Sequence, residues 1–296
     1  MTRPLVVGID GSRDSLVAGE WAAQEAALRG LPLRFVHAVP APARDVAELP
    51  VAAAWRQTAE DVLRRAEAEI AARHPHMAMN GIQVDAFPVA ALLSAAESAE
   101  LLVVGARGEG GFNGLAVGST ALATASTACC PVAVVSSGPS VARDDEEETG
   151  TGAVPLEVCV GVDARHPADP PLDFAFSAAQ LRRTRVRSVH AWTLPFASPW
   201  TPLAVSEEDR AVWEDQEVQG LSDVLHGWEA KYPEVPVVPD VVLLHPAHAL
   251  VNASHRAGLL VLGRRSSRRA AERRLGPVAH AVLHHSHCPV IVVPHD

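Results

Sequence analysis

Sixteen residues, Gly105 to Thr120, read GARGEGGFNGLAVGST and include six glycines. They follow the apolar run Leu101-Leu102-Val103-Val104. Glycine at this density just after a strand lets main-chain amides close on a ligand and reach positive φ, at a cost in chain entropy. The chemistry implied is the cradling of phosphate. The loop holds no lysine, and Lys231, in GWEAKYPEV, is the only lysine of the chain. Main-chain amides must then take the place of the missing lysine. Gly105 and Gly108 can turn tightly and offer amides to phosphate oxygens. Gly118-Ser119-Thr120 opens a helix whose free amides and dipole favour an anion, and Ser119 and Thr120 add hydroxyls. One helix terminus contributes about 0.3–1 kcal/mol, so a triphosphate needs several such contacts, with Mg2+ expected beside it. Asp10 closes the first apolar run at the same edge. Alone, Asp10 is equally a turn or capping aspartate, and the glycines alone are equally a flexible loop. The spacing G-x2-G-x9-G-[ST], followed by a helix, favours nucleotide binding.

The elements that must position these residues alternate in period. LVVGID at Leu5 is β-rich, and Asp14 to Arg29 carries Leu16, Val17, Trp21 and Ala22 on a helical period. LRFVHAV is a strand and Ala52 to Arg73 a long helix. IQVDAF, Ile82 to Phe87, is a strand and Val89 to Ala99 a helix. LLVVG is a strand, Gly118 to Thr127 a helix and PVAVV a last strand. Strands alternating with helices imply a parallel sheet covered on both faces. Ligands of such sheets bind beyond the carboxyl ends of the strands, where the strand order reverses. Gly8–Ser12, Val39–Pro42 and the glycine loop all fall at that end.

The chain is written twice. LVVGIDGS at Leu5 is echoed by VCVGVDAR at Val158, and FVHAVPAP at Phe35 by SVHAWTLP at Ser188. LLVVGARG at Leu101 is echoed by LLVLGRRS at Leu259, and CCPVAVV at Cys129 by HCPVIVV at His287. Gly8 to Gly161 and His37 to His190 share one offset. Pro88 to Pro246, Gly105 to Gly263 and Pro131 to Pro289 share another, five residues longer, so the second copy is extended between its second and fourth strands. Ser136 to Pro155, with five acids at Asp144–Glu148, has the composition of a solvated linker.

With VVGIDGS, VHAV and CPVAVV beside it, the glycine spacing resembles the ATP-binding signature of the universal stress protein family, over nearly the whole chain outside the linker. The resemblance implies a tandem protein of the actinobacterial type. Its fold class is α/β, two tandem doubly wound five-stranded parallel-sheet domains, Rossmann-like and akin to adenine nucleotide alpha hydrolases. The expected domains are 1–138, with the complete motif, and 156–296, with a degenerate one, joined by an acidic linker at 139–155. In the family the aspartate matching Asp10 contacts the nucleoside, and the residue matching Val39 lies by the base. The candidate set for ATP, with Mg2+, is Gly8, Asp10, Val39, Gly105, Arg107, Gly108, Gly118, Ser119 and Thr120. A weaker second set is Gly161, Asp163, Gly263 and Gly276. In the second copy Gly108 becomes Ser266, Ser119 becomes Pro277 and DGS becomes DAR, while six arginines enter from Arg264 to Arg274. These form a solvated loop, or grip phosphate by side-chain charge, or dock the acidic linker.

Composition narrows the rest. Of 296 residues, 48% are apolar, enough for a real core, and the formal charge of -10 argues against nucleic-acid and membrane-surface partners. No apolar run reaches membrane-spanning length and the start lacks a signal-peptide pattern, so a cytoplasmic protein is expected. Cys129, Cys130, Cys159 and Cys288 form no C-x-x-C pair and read as small buried thiols. His280, His284, His285 and His287 have no acidic or thiolate partner at helpful spacing except Cys288, so no dedicated metal is expected. PVAVV and PVIVV read as sheet edges that pair between the copies of one chain, with homodimers beyond that. The function expected is an ATP-binding, nucleotide-responsive regulator of stress or dormancy physiology, not an enzyme. The alternatives are an adenylating or ATP-hydrolysing enzyme on a similar fold, to whose S-G-G-x-D-S loop DGSRDS is only a weak match, or an interaction scaffold with incidental nucleotide and an unknown protein partner.

Overall fold

The computed structural model describes residues 2–40, 50–108, 116–137, 156–194, 206–266 and 275–296. The acidic linker, Asp144–Glu148 within it, and Arg268–Arg274 lie outside the described residues. The chain forms two compact units.

The first unit contains β1 (Leu5–Gly8), α1 (Arg13–Arg29), β2 (Leu33–Ala38), α2 (Pro50–Arg73) and β3 (Met79–Val84). It continues through α3 (Pro88–Ala96), β4 (Leu101–Gly105), α4 (Ser119–Thr127) and β5 (Val132–Val135). Its strands run in the order β3-β2-β1-β4-β5 and every pairing is parallel. Leu101–Val104 and Val132–Val135 are buried throughout, as parallel strands covered on both faces must be. The order reverses between β1 and β4, so Asp10 and the residues after Gly105 leave neighbouring strands at one edge.

Helix α1 starts where Ser12 accepts the Ser15 N–H at 3.2 Å and stops at Gly30, which turns left-handed at φ 64. Its buried face is made of small residues, Ala18, Gly19, Ala22, Ala23 and Ala26, which bring it close to the sheet. Strand β3 was expected over Ile82–Phe87 and instead spans Met79–Val84. The Ala86 N–H folds back onto the Val84 carbonyl at 2.9 Å, ending the strand, and Phe87, 74% exposed, precedes Pro88 at the start of α3. The alternation of IQVDAF mimicked a strand where a turn is built.

The second unit contains β6 (Glu157–Gly161), α5 (Asp169–Arg182), β7 (Val186–Trp192), α6 (Glu207–Lys231) and β8 (Val237–Leu243). It ends with α7 (Pro246–Ser254), β9 (Ala257–Arg265), α8 (Pro277–His285) and β10 (Val290–His295). Its strands repeat the arrangement in the order β8-β7-β6-β9-β10, again all parallel.

Two departures separate the units. Helix α5 begins at Asp169, three residues later than its counterpart by the first offset, and its N-cap is Ala168, with no side-chain cap. Pro167, Pro170 and Pro171 occupy the stretch where α1 winds its first turns, and proline disfavours helical backbone in the residue before it. The second departure is an exchange of sizes. In the first unit Gly11, at φ 87, lies under Val62 of α2, whose Cγ1 would stand 3.3 Å from an added Cβ. In the second unit the matching pair is Ala164 and Gly220, with the alanine methyl 3.8 Å from the Cβ position of Gly220.

Candidate functional site

At the carboxyl edge of the first unit, β1 delivers Asp10, which is half-buried and accepts the Ser12 N–H at 3.0 Å. Strand β4 delivers Gly105, Arg107 and Gly108 beside it. A Cβ on Gly108 would lie 2.6 Å from Asp10 Oδ2, so the bare main chain of Gly108 runs directly against the carboxylate. Gly118, the N-cap of α4, returns the chain to the same place. Its N–H donates to the Ala106 carbonyl at 2.7 Å, and its Cβ position is 3.8 Å from Arg107 Cα and 3.9 Å from Gly108 N. The first amides of α4, at Ser119 and Thr120, have no acceptor within the helix and open at this edge. The hydroxyls of Ser119 and Thr120 have no partner among the described residues.

Asp10, Arg107, Gly108, Gly118, Ser119 and Thr120 are thus brought together. Val39 follows the last residue of β2, the neighbour of β1, and its N–H is held by the Val84 carbonyl at 2.9 Å. Gly8 stands apart: a Cβ there would meet Leu92 Cδ2 at 2.9 Å, so Gly8 seats α3 on the sheet. Among the described glycines only Gly11 and Gly30 have positive φ. Gly105 and Gly108 therefore serve close approach rather than unusual backbone angles, whereas a Cβ on Gly118 would meet nothing nearer than 3.5 Å. At Gly105 the approach is to protein: a Cβ would lie 2.7–2.9 Å from the main-chain atoms of Asp14 and Ser15.

One residue missed in the sequence is Asp14. It is 4% exposed and accepts the Arg107 N–H at 3.0 Å, Arg107 Nε at 3.3 Å and the Ser137 hydroxyl. Ser12 Oγ donates to the Arg107 carbonyl at 3.2 Å. Both main-chain groups of Arg107 are thus held by the first turn of α1. Aligning the two copies shows the signal, because Asp14 falls opposite Pro167.

The second edge is built differently. Gly161 seats α7 and β9 through Leu250 and Leu262, 3.1 Å from its Cβ position. Asp163 is exposed and accepts the Arg165 N–H at 3.1 Å, with His166 Nδ1 at 3.3 Å. A Cβ on Gly263 would meet His295 Nε2 at 2.9 Å and Pro171 Cγ at 3.0 Å. Gly276 caps α8, but Pro277 in the first helical position removes a donor. Glu217 of α6, also missed in the sequence, is buried, pairs with Arg165 and faces His190 Nε2 at 2.9 Å. His190 Nδ1 lies 3.0 Å from the Val162 carbonyl, so both ring nitrogens are engaged. Burial raises the Glu217 carboxyl, but hydrogen bonds and charge from Arg165 and His190 outweigh it and hold the group below the ordinary carboxylate value. An ionic clamp thus occupies the edge where the first unit has Ser12 and the Gly11–Val62 contact.

The thiols divide. Burial pushes Cys130 and Cys159 up to about 12 and Cys288 up to about 11, whereas Cys129 is exposed, contrary to the expectation of four buried thiols. Among the described residues no three His, Cys, Asp or Glu side chains are grouped to hold a metal, and no helix is long and apolar enough to cross a membrane.

Comparison with known proteins bears on both units. The universal stress protein family matches residues 1–136 and again 157–294. A universal stress protein of Mycobacterium tuberculosis is 31% identical over 296 residues, covering 97% of this chain and 96% of its own length. A second from the same organism is 31% identical over 297 residues, covering 97% and 95%. The crystal structure of a universal stress protein from Archaeoglobus fulgidus superposes with a TM-score of 0.71 at 16% identity, covering 98% of each chain, a likeness of fold.

Proposed function

Because this chain belongs to the universal stress protein family, we propose that its first unit binds ATP with Mg2+ and that the protein acts as a nucleotide-responsive regulator of stress physiology without rapid turnover. The observation that carries this is the meeting of Asp10, the Arg107–Gly108 main chain and the open start of α4 at one sheet edge. The residues present fit the ligand. Gly108 leaves a side-chain-free surface against Asp10, and the Ser119–Thr120 amides and hydroxyls offer several donors to phosphate oxygens without lysine. Asp10 would accept from a ribose hydroxyl, and Val39 would border the base. Mg2+, when bound, would offset phosphate charge.

The second unit contributes no tight site in this reading. Its clamp of Arg165, Glu217 and His190 fills the corresponding edge, and Pro277 and Ser266 replace donor and glycine. The same reading places the protein in the cytoplasm as a homodimer, which sedimentation at graded concentrations would check.

The test is mass spectrometry of small molecules released from the purified, denatured chain, followed by calorimetric titration with Mg-ATP. An adenine nucleotide is expected in the release, and tight binding in the titration. No nucleotide released and no heat at millimolar Mg-ATP would refute the reading.

A further inference from the structure

We propose that Asp14 is a positioning residue: its buried carboxylate fixes the path of Arg107–Gly108 and so pre-forms the phosphate-facing stem of the glycine loop. The proposal rests on the nucleotide reading of the first unit.

The geometry starts with what a buried carboxylate demands. An ionised acid withdrawn from water is tolerated only when hydrogen-bonded and paired. Asp14, 4% exposed, has three donors among the described residues, and each comes from outside its own helix. The Arg107 N–H and Nε reach Oδ2 at 3.0 and 3.3 Å, and the Ser137 hydroxyl reaches Oδ1. One side chain therefore joins the start of α1 to the segments that leave β4 and β5. An N–H that bonds a carboxylate makes a stronger hydrogen bond than one that bonds a neutral oxygen.

The loop stem is pinned at both ends. Ser12 Oγ takes the Arg107 carbonyl at 3.2 Å, so the Arg107 peptide groups cannot rotate without breaking two bonds. Gly118 N–H closes the return of the loop on the Ala106 carbonyl at 2.7 Å. Gly105 makes the arrangement possible, because any side chain there would strike the Asp14 and Ser15 main chain. The guanidinium of Arg107 balances the acid, which would otherwise repel phosphate, while its side chain stays 47% exposed. Pre-formed amides bind an anion without first paying the entropy of ordering the loop.

The second unit supplies an internal control. Pro167 stands where Asp14 would be, Arg165 where Ser12 would be, and the first turn of the helix is unwound. The same unit has lost Gly108 and the Ser119 hydroxyl. Anchor and anchored loop are absent together.

The test uses the full chain and two readouts. Hydrogen exchange of the ligand-free protein reports the anchor, and calorimetry with Mg-ATP reports its use. Asp14→Ala should speed exchange in the peptide spanning Ala106–Gly108 and weaken Mg-ATP by about tenfold, the scale of one lost charge-assisted hydrogen bond. Asp14→Asn keeps an oxygen for the Arg107 N–H but gives up the charge that pairs with the guanidinium, so it should fall between wild type and Asp14→Ala in both; it also serves if the alanine variant does not fold. Arg107→Ala keeps the main-chain N–H of residue 107 on Asp14 and should leave exchange of that amide slow. Unchanged exchange in the ligand-free Asp14 variants would overturn the anchor whatever the nucleotide does. Faster exchange with unchanged affinity would overturn its part in binding. A wild-type chain that binds no Mg-ATP would sink the nucleotide reading and the role of Asp14 in it, and exchange that still responds would distinguish that failure from failure of the anchor.

Discussion

Replacing Gly105 by alanine tests whether this glycine serves packing rather than ligand contact. The added methyl would stand 2.7 Å from Asp14 C, 2.8 Å from Ser15 N and 2.9 Å from Asp14 O. All three are main-chain atoms of a helix, so no rotamer change can relieve them. Either α1 withdraws from β4 by about half an ångström or more, or the strand end bends, and overpacking of this kind costs about 1–3 kcal/mol. For a unit of this size that lowers Tm by about 4–12 °C. The paired substitution is Gly118→Val. Its Cβ would have the Ala106 carbonyl oxygen no nearer than 3.5 Å, and the backbone there is extended at φ -82, so Tm should move by less than about 3 °C. Its side chain projects where phosphate is proposed to sit, and Mg-ATP affinity should fall by at least about tenfold. Calorimetric melting of both variants, followed by titration, separates the two roles. A Gly105→Ala protein that melts with the wild type would refute the packing argument. A Gly118→Val protein that binds normally would refute the site.

Other outcomes follow from the second unit and the thiols. Ellman's reagent should react promptly with one of the four cysteines in the native chain, Cys129, and with all four after denaturation, because burial holds the other three well above neutral pH; prompt reaction of three or more would contradict this. Glu217 has a depressed folded-state value, so the unfolded chain binds its proton more readily, and its stabilisation is present above the ordinary carboxylate range and lost as pH falls through the depressed value. Glu217→Gln should therefore be less stable than wild type at pH 7 and show a flatter acid limb in a circular-dichroism titration, whereas parallel curves would argue against the clamp. Titration should find fewer than two tight nucleotides per chain, with any second event weak and weakened further by salt; two equal, salt-insensitive sites would overturn the division of labour between the units.

The alternation of short apolar runs with helical periods revealed the strands, their order of use and the edge where Asp10 and Gly105 emerge, because burial on both faces writes parallel strands as unbroken Val and Leu. Boundaries fared less well where turn chemistry competed: Asp85–Phe87 continues the alternation of β3 yet turns, and Pro167 falls where α1 has its first turn, so that α5 starts only at Asp169. In the candidate site, glycine spacing was legible because an added Cβ at Gly8, Gly105 or Gly108 would strike a neighbour. Its meaning was not uniform, since Gly8 seats Leu92, Gly105 seats α1 and Gly108 faces Asp10. Asp14 and Glu217 were hidden for the opposite reason. Each is one acid on a helix, and only the fold shows it to be buried with donors brought from residues 93 and 52 positions away.

The exchange of Gly11 and Val62 for Ala164 and Gly220 has a consequence for the gene. Two similar halves on one chain invite recombination, which tends to homogenise them. A crossover between β1 and α2 that joined an alanine from the second half to Val62 of the first would place a methyl 3.3 Å from Val62 Cγ1, on a backbone turned to φ 87. The reciprocal product would oppose glycine to glycine and leave that wall bare. Each half carries both members of its own matched pair, so mixed progeny start at a disadvantage. Each copy is thus a packed unit in its own right, and a chimera of the two is expected to be less stable than a chain that keeps both matched pairs.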